Sequence, residues 1–419
     1  MLYRFFTFVV FGSVITILAS AAELGDDCGV YGWEIPVPPP DSTLLQTHVL
    51  ARHGDRVPWE GQSCWPNDPS MWMCTLDNAE IPMYSDTQYG KFLPRVYRKV
   101  YKFGESLPGN CSVGQLTTIG FNQHIQNGAS LRKAYVDTGF LPANFDGDEI
   151  YLRSDDEPRT LMSAEALILG MFPPNGSQTE VLRINTLDQS IDYISPNPML
   201  CPKLGEYQKE FFDSPVWLSH YKAVTYPLLT AVSNAINFTV DQDSFEHFSD
   251  CLRTHKCHEL PWPPGMTSDL YDACWTELAW QYYSQYQYPS PKDISVVGIG
   301  FLLKEFWKQI NSSVQGLPVE KFLLYLGHDD TLIALTDALL VADGLWPPYA
   351  SMIILELYEV PSSASGFAIR VIYNGNVLNL PYCSNQALCD YDEFSNYIAT
   401  VVPTDVAKQC ASNKRWTSV

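Results

Sequence analysis

Three apolar runs in this chain each stop at a charged or imidazole side chain. No other feature of the sequence narrows the fold as much. Thr43-Leu44-Leu45-Gln46-Thr47-His48-Val49-Leu50-Ala51 reads as a largely buried strand and ends at Arg52-His53-Gly54. Glu149-Ile150-Tyr151-Leu152-Arg153 is a second strand, ending on an arginine. Lys321-Phe322-Leu323-Leu324-Tyr325-Leu326-Gly327 is a third, ending at His328-Asp329. Helical patterns alternate with them, from Thr117 to about Tyr135, from Ser154 through Leu167 and from Leu303 to Ile310. Early acids at Asp155, Asp156 and Glu157 suit the start of the second helix. Ile353 to Tyr358 and Ala368 to Tyr373 have the pattern of an antiparallel pair. Strands alternating with helices predict an α/β fold, with a central mixed sheet flanked by helices. Ligands of open α/β sheets bind beyond the carboxyl ends of strands. Arg52, His53, Arg56, Arg153, His328 and Asp329 are therefore expected to share one cleft.

A chain of 419 residues suits one large domain or one domain carrying a sizeable insertion. Residues 200–290 are rich in aromatics and helical patterns and poor in strands, which predicts a helical cap. We set the α/β domain at 22–195 and 291–419 and the mainly helical cap at 196–290. The aromatic side chains of the cap are read either as lining of the cleft or as core. Residues 59–110 read as loops with some helix, and Pro36 to Pro40 as an extended lead-in on the surface.

The formal charge of −21, from 47 acidic and 26 basic residues, repels nucleic acid and anionic membranes, and both are set aside as partners. It also repels phosphate esters at long range, so a phosphate site here needs a local cluster of cations. The N-terminus has the layout of a signal peptide over residues 1–21. Arg4 is the only charge before Glu23, an apolar run follows, and Ala19-Ser20-Ala21 supplies small residues for cleavage. An uncleaved anchor is the alternative reading of the same segment. All eleven cysteines lie beyond it, and in a secretory chain they are expected mainly as disulfides. Because eleven is odd, at least one thiol is free or pairs between chains. Sequons begin at Asn110, Asn175, Asn237 and Asn311, in keeping with glycosylation in that route. The expected location is outside the cell or the lumen of the secretory and lysosomal pathway. A homodimer is left open.

The cluster suits phosphate monoesters. Guanidinium groups bind phosphate with paired hydrogen bonds, and Arg52, Arg56 and Arg153 are the candidates. His53 is the candidate nucleophile, its pKa lowered by neighbouring arginines so that the ring stays neutral. His328 is a further phosphate donor. Asp329 fits the acid that protonates the leaving alkoxide and then the base that activates water. The scheme calls for neither metal nor cofactor, and the sequence has no Walker loop. Each residue also has a plain structural reading, and Asp329-Asp330 would serve equally as a helix cap. The joint occurrence of the pieces carries the chemical reading. Cys251, His255, Cys257 and His258 imitate zinc ligands, but their spacing is irregular and disulfides are expected instead.

At these residues the chain resembles the histidine acid phosphatases of the histidine phosphatase superfamily, which are marked by R-H-G-x-R-x-P and H-D. Arg52-His53-Gly54-Asp55-Arg56-Val57-Pro58 matches the first motif and His328-Asp329 the second. Arg153-Ser154 with Arg159-Thr160-Leu161-Met162-Ser163-Ala164 looks like the family's third phosphate-binding block. Pro347-Pro348-Tyr349-Ala350-Ser351 and Leu380-Pro381-Tyr382-Cys383 extend the likeness toward its prostatic and lysosomal branch. The resemblance implies a phosphoglycerate mutase-like α/β domain under a smaller helical domain. It makes His53 the phosphohistidine nucleophile and Asp329 the proton donor, with Arg52, Arg56, Arg153 and His328 on the phosphate. It also implies Cys201–Cys410 and Cys383–Cys389 bridges. The partner it implies for Cys251 is replaced by Met352, so Cys251 is expected with Cys257 or Cys274. Cys64 and Cys74 lie in a stretch longer than the family's. Residues 114–135 also look like phosphoxylose phosphatase relatives. The expected activity is a broad acid phosphatase. The alternatives are a specialised phosphatase for inositol phosphates, lysophosphatidate or phosphorylated sugars and, third, a non-catalytic secreted binding protein.

Overall fold

The computed structural model describes residues 28–61, 63–76, 79–80, 97–98, 106–174 and 182–412. The expected signal segment and Asn175 lie outside these residues. The central strand is β1 (Thr43–Arg52), whose residues 49–51 are wholly buried. A strand covered on both faces reads as a nearly continuous apolar run, which is why the sequence pattern there is unbroken. Beside it runs β5 (Phe322–Gly327), parallel, and beside that β4 (Ile150–Ser154), also parallel. Register aligns the three carboxyl ends, with Arg52 opposite Gly327 and Ser154 opposite Leu326. On the other side of β1 the sheet turns antiparallel through β6 (Met352–Glu359), β7 (Phe367–Tyr373) and β8 (Asn376–Leu378), with β9 (Leu388–Asp390) also on β7. Two short strands, β2 (Ala79–Glu80) and β3 (Tyr97–Arg98), pair apart from this sheet.

Alternation along the strands sends side chains to two cores. Val49, Ala51, Leu152, Leu324 and Ile354 face α1 (Thr118–Leu131) and α2 (Pro158–Met171). Leu50, Leu323, Tyr325, Leu355 and Ile369 face α8 (Pro291–Val297), α9 (Gly300–Val314), α10 (Asp329–Ala338) and α11 (Tyr391–Val401). The sheet is thus mixed and covered on both faces. Helix α2 begins later than the acidic run predicts, because Ser154 still belongs to β4 and Pro158 occupies the first helical turn.

Between the two halves of this layer come α3 (Pro202–Phe212), α4 (Pro215–His220), α5 (Tyr226–Ile236), α6 (Gln242–Cys257) and α7 (Ser268–Gln285). Val232, Phe245, Phe248, Leu252, Tyr271 and Leu278 form a separate core there, and Cys64 and Trp65 from the long loop after β1 pack into it. Helix α6 carries two bridges, Cys64–Cys251 and Cys28–Cys257. The expected pairing of Cys251 with Cys257 or Cys274 is therefore corrected. Cys251 lies less than two turns before Cys257 on the same helix, and each is bridged to a different incoming loop. Cys74 pairs with Cys111, Cys201 with Cys410 and Cys383 with Cys389, while Cys274 is buried as a thiol. Asn237 is exposed at the left-handed end of α5. Asn110 is exposed too, although its amide exchanges two hydrogen bonds with the Cys74 backbone, and Asn311 accepts from the Tyr391 hydroxyl. Among the described residues no helix is long and apolar enough to cross a membrane.

Candidate active site

His53 sits one residue past β1. Its backbone is held on both sides, by a bond from His53 N–H to the Gly327 carbonyl at 3.0 Å and from Ala350 N–H to the His53 carbonyl at 3.1 Å. Gly54 follows because nothing larger fits. A Cβ there would lie 2.3 Å from the Gly120 carbonyl oxygen at the start of α1. The His53 Nδ1 lies 2.8 Å from the Gly54 carbonyl oxygen. A carbonyl only accepts, so Nδ1 donates, and the lone pair of the neutral ring is on Nε2. Burial, then the positive charges of Arg52, Arg159 and Arg56, hold the His53 pKa well below its ordinary value. The direction agrees with the reading from charge, but desolvation is the larger cause.

The ring opens on a cavity of about 250 Å³, lined at this end by Arg56, Arg159, His328 and Asp329. Arg56 meets Asp250 of α6 through two bonds, each 3.0 Å, with both side chains almost fully buried. Arg159, in the first turn of α2, places Nη2 3.5 Å from His328 Nδ1. The other His328 nitrogen, Nε2, donates to Asp155 at 2.6 Å. Arg52 lies one layer behind, stacked 4.3 Å from the Tyr349 ring centre, donating to the Pro347 carbonyl at 2.5 Å and paired with Asp329 at 2.6 Å.

Asp329 opens α10, and its Oδ2 also accepts from the Trp346 indole at 3.1 Å. Burial pushes its pKa up, but Arg52, Arg56 and His328 outweigh burial and bring it down to about 2. Without a bound anion beside it this carboxyl is therefore ionised at ordinary pH.

Arg153 is not with this group. Its guanidinium pairs with Asp192 at 2.7 Å and Glu305 at 2.9 Å and covers the Tyr193 ring at 4.0 Å. Strand alternation explains this. Arg153 stands opposite Tyr325 in the β4–β5 register and so points to the α9 face, where Tyr325 also reaches Glu305. The expectation that it lines the cleft is corrected in favour of Arg159. That arginine stands in the same sequence block, but it comes from the helix on the opposite face.

Helix α6 is a second organiser of the site that sequence reasoning missed. Besides Asp250 it contributes Glu246, and just after it His258 bonds Asp55 at 2.8 Å. Asp55 also accepts from Thr117 at 2.5 Å, so the aspartate inside the first motif ties that loop to both α1 and the end of α6. His255 is engaged by Ser70 and Asp68, and Cys251 and Cys257 are in disulfides. The zinc-like grouping is thereby spent on structure. The only signal for Asp250 or Glu246 in the sequence was their spacing of four on an amphipathic helix.

The match to known proteins runs through the same residues. The description of the histidine phosphatase superfamily (branch 2) fits residues 43–374. Counting factor 60 of Dictyostelium discoideum is 31% identical over 384 residues, spanning 88% of this chain and 89% of that protein. Prostatic acid phosphatase of Rattus norvegicus is 30% identical over 384 residues, spanning 86% and 87%. Among solved structures, the apo phytase of Hafnia alvei superposes with a TM-score of 0.60 at 15% identity, covering 89% of this chain and 99% of its own. At that identity the likeness concerns the fold.

Proposed function

Since the chain belongs to branch 2 of the histidine phosphatase superfamily and is a phosphoric monoester hydrolase of the acid phosphatase type, we propose that His53 is its phosphorylated nucleophile and Asp329 its proton donor. One observation carries the reading. The Nε2 lone pair of a neutral, buried His53 opens on a cavity that also holds Arg56, Arg159 and His328. In the first step Nε2 bonds to phosphorus and the ester P–O bond breaks. Arg56 and Arg159 draw off the charge spreading over the phosphoryl oxygens, and positioning of this kind is most of phosphoryl-transfer catalysis. The leaving oxygen takes a proton from Asp329. In the second step a water gives a proton to Asp329 and its oxygen displaces His53 from phosphorus.

Asp329 beside Arg52 and Arg56 is ionised before substrate binds, so its proton has to arrive with the substrate. A phosphate monoester loses its second proton near pH ~6. Below that pH the monoanion brings a P–OH that can pass its proton to Asp329, whose pKa the incoming negative charge raises. Activity is expected to fall as pH rises through the substrate's second ionisation. Arg52 acts behind this pair by holding the carboxylate in place. Arg153 has a structural part, and we read 196–290 as the cap over the cleft. The five disulfides support a life in the secretory route, secreted or in a lumen.

The test is turnover of an aryl phosphate at acid pH, with enzyme phosphate trapped and assayed for acid lability. His53→Ala is expected to lose both turnover and trapped label. Turnover retained in that variant overturns the assignment. Asp329→Asn is expected to hit alkyl esters hardest, because a poor leaving group depends most on the acid. Equal effects on alkyl and aryl esters remove Asp329 from that role.

A further inference from the structure

The cavity has a second end. Helix α7 turns Trp275, Leu278 and Tyr282 toward it from one face, at spacings of three and four. Trp59 enters from the loop after β1, Trp346 from the loop after α10, and Glu246 from α6. Trp346 stands edge-on to Trp275 (5.2 Å between centres) and to Tyr282 (4.8 Å), so the walls brace one another. The Tyr282 hydroxyl donates to Glu246 Oε1 at 2.6 Å, leaving Oε2 as the second acceptor of that carboxyl.

Among the described residues the lining cations stand at one end of the cavity only, whereas acids stand at both. The cations that line the cavity, Arg56 and Arg159, both stand beside His53. Arg56 is already shared with Asp250, and four acids line the cavity in all: Glu246, Asp250, Asp329 and Asp330. Among the described residues, a second phosphate on a substrate would meet indoles and carboxyls at the far end, with no lining cation to replace its lost hydration. A positive group would meet aromatic faces and a carboxyl, the combination that binds ammonium ions. Trp275 already stacks against Arg253, 3.3 Å from its ring centre, so the aromatic faces for such a group are those of Trp59, Tyr282 and Trp346.

We propose that Glu246 and these aromatic walls form the leaving-group subsite, and that it selects esters with a single phosphate whose alcohol carries an amine on an apolar body. The inference rests on the hydrolytic reading of His53. Burial, reinforced by Asp329, Asp250 and Asp330 and opposed by Tyr282, pushes the Glu246 pKa up to about 7. An ammonium beside this carboxyl would favour its ionised form and draw that value down.

Two matched substrate pairs test this. Phenyl phosphate and tyramine O-phosphate share a phenolic leaving group and differ by a para aminoethyl arm that carries an ammonium. Myo-inositol 1-phosphate and myo-inositol hexakisphosphate share a ring and differ by five phosphates. Tyramine phosphate is expected to exceed phenyl phosphate in kcat/KM by about tenfold at pH ~7, the worth of one charge-assisted hydrogen bond. The preference, read as the ratio of the two kcat/KM values within one variant, is expected to vanish in Glu246→Gln. The monophosphate is expected to exceed the hexakisphosphate by at least about tenfold, and Glu246→Lys to narrow that gap. Equal kcat/KM within either pair for the unaltered enzyme overturns the proposal while leaving the His53 reading intact. Absence of phenyl phosphate turnover overturns both. Thermal unfolding of each variant separates loss of fold from loss of selection.

Discussion

Asp250→Asn isolates the link between α6 and the phosphate end of the cavity. Asp250 and Arg56 are each about 5% exposed, and two hydrogen bonds of 3.0 Å join them. The substitution keeps the shape and one acceptor for Trp59 N–H, but leaves the Arg56 charge buried without a counter-charge. Breaking a buried pair in this way costs about 3–5 kcal/mol. With an unfolding entropy of about 2.1 cal/mol/K per residue, that corresponds to a Tm lower by about 3–6 °C for a chain of this length. The freed guanidinium then belongs wholly to the phosphate. Inorganic phosphate should inhibit the variant at least about tenfold more tightly, and at about 100 times its Kd should return about 2.7 kcal/mol of stability. Differential scanning calorimetry with and without phosphate, beside product-inhibition kinetics, measures both sides. An unchanged Tm together with an unchanged inhibition constant would refute the idea that Asp250 and phosphate compete for one guanidinium.

Other outcomes follow from the same geometry. Arg159→Ala should lower kcat/KM by about 10²–10³, whereas Arg153→Met should lower stability by leaving Asp192 and Glu305 unpaired and barely move KM; steady-state kinetics of the two variants decide this. The Asp329 carboxyl is depressed from 3.8 to about 2, so it adds about 2 kcal/mol of stability above the ordinary carboxylate range, lost as pH falls through about 2. Urea unfolding between those limits should therefore fall more steeply for the unaltered enzyme than for Asp329→Asn. Cys274 is buried and its thiol is pushed up to about 12, so iodoacetamide should leave the native protein unlabelled there and label it after unfolding under non-reducing conditions.

The strands were legible because burial on both faces leaves an unbroken apolar run, and the site because each run stops at a polar residue. What failed was the face. A strand end names a place along the sheet but not a side of it, and Arg153 differs from its neighbours only by the parity of its position opposite Tyr325. Arg159 was visible as part of a block, yet its role needed the start of α2, which Pro158 moves beyond the acidic run. The partners of Cys251 and Cys257 were not legible either. They depend on loops from residues 28 and 64 that meet α6 only after the chain has folded back on itself. Asp250 and Glu246 were hidden for a similar reason, as acids on a helix surface look alike until a cavity faces some of them.

The Cys28–Cys257 bridge makes the lead-in before the first strand part of the working enzyme. That stretch looks expendable, being proline-rich and remote from any motif. Yet its cysteine is fastened to the residue just before His258, which holds Asp55 inside the first motif. A shortened chain that starts at Thr43 would still contain every residue of the cleft. It would also carry a second unpaired thiol beside the loop that shapes His53. The N-terminal limit of the functional protein is therefore set by a covalent bond to α6 rather than by the first strand of the sheet.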